Sequence, residues 1–323
     1  MKKIQMVDVV SQYEKHSDEL NQKIFNVLNS GCYIRGKEVN DFEKQISEYL
    51  GVNHTISCAN GTDALQIALM SLNLSLGDEV IVPTFTFVST VEAVCLLGLK
   101  PVFLDIHPDT FLLNENLIEQ SISEKTRAII PVHLFGQCCN MKAIKFIADK
   151  YNLFIIEDAA QSIGSSIYSG PTDKIFSGTI GDIGTTSFYP SKNLGCFGDG
   201  GAIFTNNDKL SEKMRLIANH GQKEKYTHEI VGLNSRLDAI QAGILSYKLT
   251  FLDEFNLKRN SIAQYYNKQL ENISWLQIPA KNNLSDHIYH QYSIILESII
   301  SRNDFQKYLF ENEIPTMIYY PIP

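Results

Sequence analysis

Four short stretches of the chain carry side chains that could act together. In Ala59-Asn60-Gly61-Thr62-Asp63-Ala64-Leu65, a Gly-Thr pair opens an amphipathic helix directly after a short strand. Helix N-termini carry unpaired N–H groups and the positive end of the dipole, so Gly61 and Thr62 can cradle an anion. A plain cap by Thr62 or Asn60 is the competing reading. In Ile156-Glu157-Asp158-Ala159-Ala160-Gln161-Ser162, Asp158 ends a buried strand, where open α/β sheets bind ligands. A carboxylate there is costly unless a cation pairs with it, and Gln161 stands near enough to address the same ligand. Alone, Asp158 could equally cap a helix. In Ser187-Phe188-Tyr189-Pro190-Ser191-Lys192-Asn193-Leu194-Gly195, Ser187 ends a strand and Lys192 lies in a turn bounded by Pro and Gly. A lysine on a rigid loop can be aimed into a cleft. Desolvation or a neighbouring cation there lowers its pKa and makes it a nucleophile for Schiff-base chemistry. A lone lysine is otherwise a solvated surface charge. In Gly232-Leu233-Asn234-Ser235-Arg236-Leu237-Asp238, a polar triplet precedes a helix, with a capped helix start as the alternative.

The order of these stretches says more than any one of them. A phosphate cradle, then an aspartate at a strand end, then a serine and a lysine on a loop is the layout of a pyridoxal phosphate site. The pyridinium of that cofactor needs an acidic partner and its aldehyde needs a lysine. Other chemistries lack their motifs. Gly31-Cys32-Tyr33-Ile34-Arg35-Gly36-Lys37 has the spacing of a phosphate-binding loop, but Glu38 stands where Ser or Thr is needed and no strand precedes it. There is no G-x-G-x-x-G and no G-x-S-x-G. His228-Glu229 begins a zinc-protease pattern that Gly232 ends.

The elements that must position these residues follow from periodicity. Short β-branched runs at 80–83, 101–105, 128–131 and 154–158 alternate with helical stretches at 62–72, 87–97 and 141–151. This rhythm predicts an α/β fold, a mostly parallel sheet between helices, with strands buried on both faces. It ends near 202–205. A long helical region is expected from Lys209 to about Leu270, broken at Gly221 and Gly232. Strand-like runs at 292–296 and 316–320 then flank a helix at 303–312. The expected division is a large cofactor-binding domain over 1–250, whose N-terminal helix packs on the small domain, and a smaller α+β domain over 251–323.

Composition bounds the function. The chain has 323 residues, 44% of them hydrophobic, and a net charge of −8, which argues against a nucleic-acid binder gripping the backbone with clustered Lys and Arg. No run suits a membrane span, and polar residues interrupt the basic start Met1-Lys2-Lys3 before a signal peptide could form. Six cysteines without a C-x-x-C pair make reduced thiols in a cytoplasmic protein the expectation, with no metal site.

The chain resembles the DegT-type nucleotide-sugar aminotransferases, which depend on pyridoxal phosphate, from about Val7 to Pro323. The resemblance rests on Gly31-Cys32-Tyr33-Ile34-Arg35-Gly36, Asn60-Gly61-Thr62, Pro83-Thr84-Phe85-Thr86-Phe87, Val132-His133-Leu134-Phe135-Gly136 and Glu157-Asp158-Ala159-Ala160-Gln161. It continues through Ser187 to Lys192, Gly198-Asp199-Gly200-Gly201, His220-Gly221-Gln222 and Asn234 to Asp238. It implies a type I aminotransferase fold and a set of roles. Lys192 would carry the cofactor as a Schiff base, Asp158 would pair with the pyridine nitrogen, and Gln161 would meet the ring hydroxyl. Gly61, Thr62 and Ser187 would hold the phosphate, and Phe87 would stack on the ring. Asn234 would reach the phosphate of the neighbouring subunit, making the site a property of a homodimer.

Within the family the chain is most similar to enzymes that aminate C3 of a UDP-linked 2-acetamido-3-oxo-glucuronic acid, with glutamate as the expected donor, in surface polysaccharide synthesis. The pieces that carry this are 56–67, 193–206 and Tyr320-Pro321-Ile322-Pro323. Arg236 would then meet the acceptor's carboxylate, a helix-start surface ion pair being the alternative. Tyr319 and Tyr320 would line the sugar pocket. A dTDP-linked 3-oxo-6-deoxyhexose is the alternative acceptor. A sugar dehydratase on the same scaffold would have histidine in place of Lys192, and a non-catalytic regulator would not require Lys192 and Asp158 together. Family members continue past Pro323 with a substrate-lining loop and a closing helix, so a truncated small domain is the expectation.

Overall fold

The computed structural model describes residues 4–168, 170 and 173–322. Met1 to Lys3 and Pro323, used in the sequence reading, lie outside the described residues. Helices α1 (Val9–Glu14), α2 (Ser17–Ser30) and α3 (Lys37–Leu50) precede β1 (His54–Cys58). Then come α4 (Gly61–Ser71), β2 (Glu79–Pro83), α5 (Ser89–Leu96), β3 (Lys100–Leu104), β4 (Thr126–Ile129), α6 (Met141–Tyr151) and β5 (Phe154–Asp158). A small hairpin of β6 (Ser166–Tyr168) and β7 (Lys174–Phe176) leads to β8 (Ile183–Ser187), β9 (Gly201–Thr205) and α7 (Asp208–Ile217). The chain goes on through β10 (Gln222–Glu224), β11 (Thr227–His228), α8 (Ala239–Leu249), α9 (Leu252–Leu270), β12 (Leu276–Gln277), β13 (Ile295–Leu296) and α10 (Arg302–Glu311).

Seven strands form the main sheet in the order β1-β9-β8-β5-β4-β2-β3. β3, β2, β4, β5 and β8 pair in parallel, while β9 runs antiparallel to both β8 and β1. The central strands are continuous apolar runs because α4 and α5 cover one face and α3, α6 and α8 cover the other. One core joins β1, β2, β5 and β9 to α4 and α7 through Leu65, Ile67, Leu69, Val80, Ile156 and Ile203. A second seats α3 and α8 on the other face. There Phe42, wholly buried, meets Phe188 edge-on at 5.4 Å between ring centroids. Phe188 follows β8 directly, so this contact also braces the turn that carries Lys192.

The expected strands and helices of the first 205 residues are found within a residue or two of their predicted positions. Two expectations are corrected. The region from Lys209 to Leu270 is not one broken helix, because residues 218–238 form a hairpin and an irregular segment. Gly221 has φ +64, and a Cβ there would come within 1.7 Å of the Ile230 carbonyl oxygen, so the chain doubles back. The run 316–320 pairs with no strand, and 292–296 contributes only β13, paired to β12. Among the described residues no helix is long and apolar enough to cross a membrane, and no group of His, Cys, Asp and Glu could hold a metal ion.

Phe42→Ala should lower stability by about 3–5 kcal/mol through the cavity it leaves. Denaturant unfolding of the cofactor-free protein checks this, and a loss under about 1 kcal/mol would mean the site collapses around the gap.

Candidate active site

The strand β5 ends at Asp158, which is 6% exposed. Its Oδ2 accepts from Thr90 Oγ1 at 2.9 Å and its Oδ1 from the Ala160 N–H at 3.1 Å. No cation lies within ion-pair distance of it among the described residues. Two neutral hydrogen bonds do not replace the hydration of a carboxylate, so the group calls for a cationic ligand. The adjacent Glu157 shows the contrast. Wholly buried, it accepts from the N–H groups of Gly178, Ile180 and Gly181 at 2.9, 2.6 and 2.6 Å and from His133 Nε2 at 2.8 Å. Its hydrogen bonds are complete inside the protein, and it anchors the strand end from which Asp158 projects.

Lys192 sits on the turn between β8 and β9. Its N–H bonds to the Tyr189 carbonyl at 2.8 Å, and the Cys196 N–H bonds back to Phe188 at 2.8 Å. Gly195 lets the turn close, since a Cβ there would fall 2.5 Å from the Pro190 carbonyl oxygen. The buried Lys248 of α8 donates to the Gly195 carbonyl from below. The Lys192 amine has no hydrogen bond or ion pair among the described residues. Burial is the largest influence on it and lowers its pKa to about 8, against the opposing pull of the nearby Asp158 carboxylate.

The N-terminus of α4 opens beside this pair. Asn60, rather than Thr62, is its cap: the side chain accepts from the Asp63 N–H at 2.8 Å and the carbonyl from Ala64 at 3.1 Å. The N–H groups of Gly61 and Thr62 are left without a protein partner among the described residues. Ser187, at the end of β8, lies against Gly61, where a Cβ would approach the Ser187 Cβ to 2.8 Å. Only glycine lets the serine and the helix start share one hollow.

An aromatic wall closes another side. Gln161 Oε1 accepts from the Phe135 N–H at 2.7 Å, and its Nε2 donates to the Tyr320 hydroxyl at 3.2 Å. Tyr320 in turn packs 5.5 Å from Phe85 and 6.3 Å from Phe87, measured between ring centroids. Phe87 is 56% exposed, an unusual state for a ring flanked by packed aromatics. Tyr319 packs on Phe135 at 6.4 Å. Burial raises the hydroxyl pKa of both tyrosines, Tyr320 to about 12.

The fourth stretch is held by Ser235, whose buried hydroxyl accepts from the Ala59 N–H at 3.1 Å. Asn234 is exposed and bridges to Asn219 through the backbone. Arg236 is half-buried and has no ion pair among the described residues, so the alternative reading of a helix-start surface pair finds no partner there. Its neighbour is another cation. Burial lowers the pKa of Arg35, and the Arg236 charge lowers it further.

The structure thus brings Asp158, Lys192, Gly61, Ser187 and Gln161 around one cleft, with Tyr320 and Phe87 on its wall. The individual readings of the sequence did not reach Thr90, the Gln161 contact to Phe135, or Arg35. Phe135 has φ +58, a conformation that its sequence does not announce. The fold and this site define a type I aminotransferase scaffold built for pyridoxal phosphate.

The chain belongs to the DegT/DnrJ/EryC1/StrS aminotransferase family, whose model matches residues 14–323. It is a pyridoxal-phosphate-dependent sugar aminotransferase. It is 44% identical to the UDP-2-acetamido-2-deoxy-3-oxo-D-glucuronate aminotransferase of Pseudomonas aeruginosa, over 99% of this chain and 87% of that one. It is 41% identical to the dTDP-3-amino-3,6-dideoxy-alpha-D-galactopyranose transaminase of Aneurinibacillus thermoaerophilus, over 96% and 83%. Among solved structures, DesV of S. venezuelae in complex with a ketimine intermediate superposes with a TM-score of 0.95 at 36% identity, covering 100% of this chain and 85% of that one.

The Lys192 amine of the cofactor-free protein should resist acylation below about pH 8 and react above it, well under the ordinary lysine value of 10.5. Mass spectrometry of the Lys192 peptide across a pH series reads this directly. A midpoint near the ordinary value would contradict the desolvated site.

Proposed function

We propose that this aminotransferase moves an amino group from L-glutamate to C3 of a UDP-linked 2-acetamido-3-oxo-glucuronic acid. It acts as a cytoplasmic homodimer with shared active sites and supplies a precursor of surface polysaccharide such as lipopolysaccharide O-antigen. The observation that carries the acceptor is Arg236, a half-buried guanidinium with no carboxylate in ion-pair reach among the described residues, with Arg35 beside it. Guanidinium binds carboxylate in two parallel hydrogen bonds, and an anionic substrate reaching a chain of net charge −8 needs such a local cation. Tyr319 and Tyr320 line the sugar side of the cleft.

The cleft fits pyridoxal phosphate on its own terms: a buried carboxylate and a buried amine, neither in an ion pair among the described residues, and a hollow that a Cβ at Gly61 would fill. Asp158 would hold the ring nitrogen in its protonated form. Gln161 keeps one amide hydrogen for the ring hydroxyl after bonding Tyr320. Gly61, Thr62 and Ser187 take the phosphate, and Asn234 reaches the phosphate of the other subunit. Phe87 offers its exposed face to the ring. When bound, the cofactor supplies an electron sink for charge from the donor's α-carbon. Lys192 carries the cofactor at rest. With the cofactor bound, the Lys192 amine would be the general base that takes the proton from the donor α-carbon and would later return one to the acceptor's C3. A desolvated amine whose pKa is lowered to about 8, so that about half of it is neutral at that pH, suits that task. Donor and acceptor use the one cleft in turn, giving ping-pong kinetics. Residues 1–250 make up the large cofactor-binding domain and 251–323 the small one.

A dTDP-linked 3-oxo-6-deoxyhexose is the second reading, supported by the Aneurinibacillus relative. Paired assays with the two keto-sugars separate them. The uronic acid should be preferred, and Arg236→Ala should cut its kcat/KM by about tenfold to a hundredfold while sparing the deoxyhexose. A clear preference for the deoxyhexose would sink the assignment.

A further inference from the structure

The turn that bears Lys192 is held from behind by a relay of hydrogen bonds that can run in only one direction. It begins at the backbone carbonyl of Ile163, which can only accept. Asn256 of α9 donates to it through Nδ2 at 3.2 Å. Asn256 Oδ1 therefore accepts, and Asn193 Nδ2 donates to it at 2.7 Å. Asn193 is left with its own Oδ1 toward His290, whose Nδ1 lies 2.9 Å away and must donate. Asn193, Asn256 and His290 are 4%, 7% and 8% exposed, so water does not compete for these bonds.

The direction of the relay fixes the tautomer of His290. Its proton is on Nδ1 and its lone pair is on Nε2. Nε2 has no partner among the described residues. The backbone that carries the imidazole is also held. The Ile288 N–H bonds to the Gly136 carbonyl at 2.9 Å, and a Cβ at Gly136 would fall 2.9 Å from the His290 backbone nitrogen. Arg259 donates to the carbonyls of Tyr289 and His290 at 3.4 and 3.2 Å. The charged groups that face the ring are Lys192 and Arg259, and Asp158 faces Lys192 in turn. Burial first, then these two cations, keep the imidazole neutral.

We propose that His290 is a positioning residue for Lys192. As a neutral Nδ1–H imidazole it fixes the turn through Asn193, the residue next to Lys192, and leaves Nε2 as an acceptor with no partner among the described residues. The proposal rests on Lys192 being the residue that carries the cofactor. It draws in α9 and the segment after β12, so that the lysine is steadied by chain far from it in sequence.

The test compares the holoenzyme with its His290→Phe and His290→Gln variants. Phenylalanine keeps a ring and loses both polar atoms, while glutamine keeps one donor and one acceptor. The phenylalanine variant should lose about tenfold in kcat with little change in acceptor KM. It should also lower the pH midpoint of the cofactor's visible band, by about one unit, because an acceptor favouring the protonated lysine link is gone. The glutamine variant should recover most of both. A phenylalanine variant with the wild-type midpoint and kcat, or a glutamine variant as impaired as phenylalanine, overturns the proposal. If the phenylalanine variant does not accumulate folded, nitrogen NMR of His290 in the wild-type holoenzyme decides. Protonated Nδ1 with bare Nε2 is expected, and the opposite tautomer or an imidazolium overturns the proposal. Failure of the underlying reading looks different: Lys192→Ala would then keep the wild-type visible band, with the His290 tautomer unchanged.

Discussion

A buried carboxylate with no ion pair among the described residues governs this molecule. Asp158 is carried into the interior by β5, a strand with parallel partners on both sides, and within hydrogen-bond reach it has two neutral donors and no cation among the described residues. Burying such a charge costs several kcal/mol, and the fold bears that cost because β5 is pinned elsewhere. Glu157, one residue earlier, spends its whole capacity on four internal donors and clamps the strand end to the loop before β8. Adjacent residues of like charge therefore play opposite parts. One completes the scaffold and the other presents its carboxylate at the strand end beside Lys192.

The same economy applies to the lysine. The Lys192 amine is desolvated and has no hydrogen bond or ion pair among the described residues, which on an ordinary surface would be a fault. Here the burial is built by several elements at once. Phe188 packs on Phe42 of α3, Lys248 of α8 holds the Gly195 carbonyl, and Asn193 is tied to α9 and His290. An amine with a lowered pKa and a carboxylate open to a ring nitrogen are two ends of one design, and the hollow at Gly61 and Ser187 gives the third point of attachment.

Much of this was legible in the sequence. Continuous apolar runs such as Phe154-Ile155-Ile156 declare buried parallel strands, and the fixed order of the four chemical stretches declares the cofactor. What stayed hidden has physical reasons. Gly201 to Thr205 reads as a strand, but nothing in its pattern says that it runs antiparallel between β1 and β8. Residues 218–238 contain good helix formers, yet close packing of Gly221 on the Ile230 carbonyl overrides propensity. Thr90, Asn193, Asn256 and His290 each look like ordinary polar residues. Their part depends on contacts up to 97 positions apart, which local periodicity cannot carry. Arg236 reads from the sequence as a candidate partner for a substrate carboxylate, and it has no ion pair among the described residues.

The central claim is that Lys192, set opposite Asp158, is the attachment point of the cofactor. Borohydride reduction of the yellow holoenzyme, followed by peptide mapping, tests it most directly. The account predicts that the cofactor becomes fixed on the peptide bearing Lys192 and on no other. Fixation on a different lysine, such as the buried Lys248, or a protein that takes up no pyridoxal phosphate to be fixed, would contradict it.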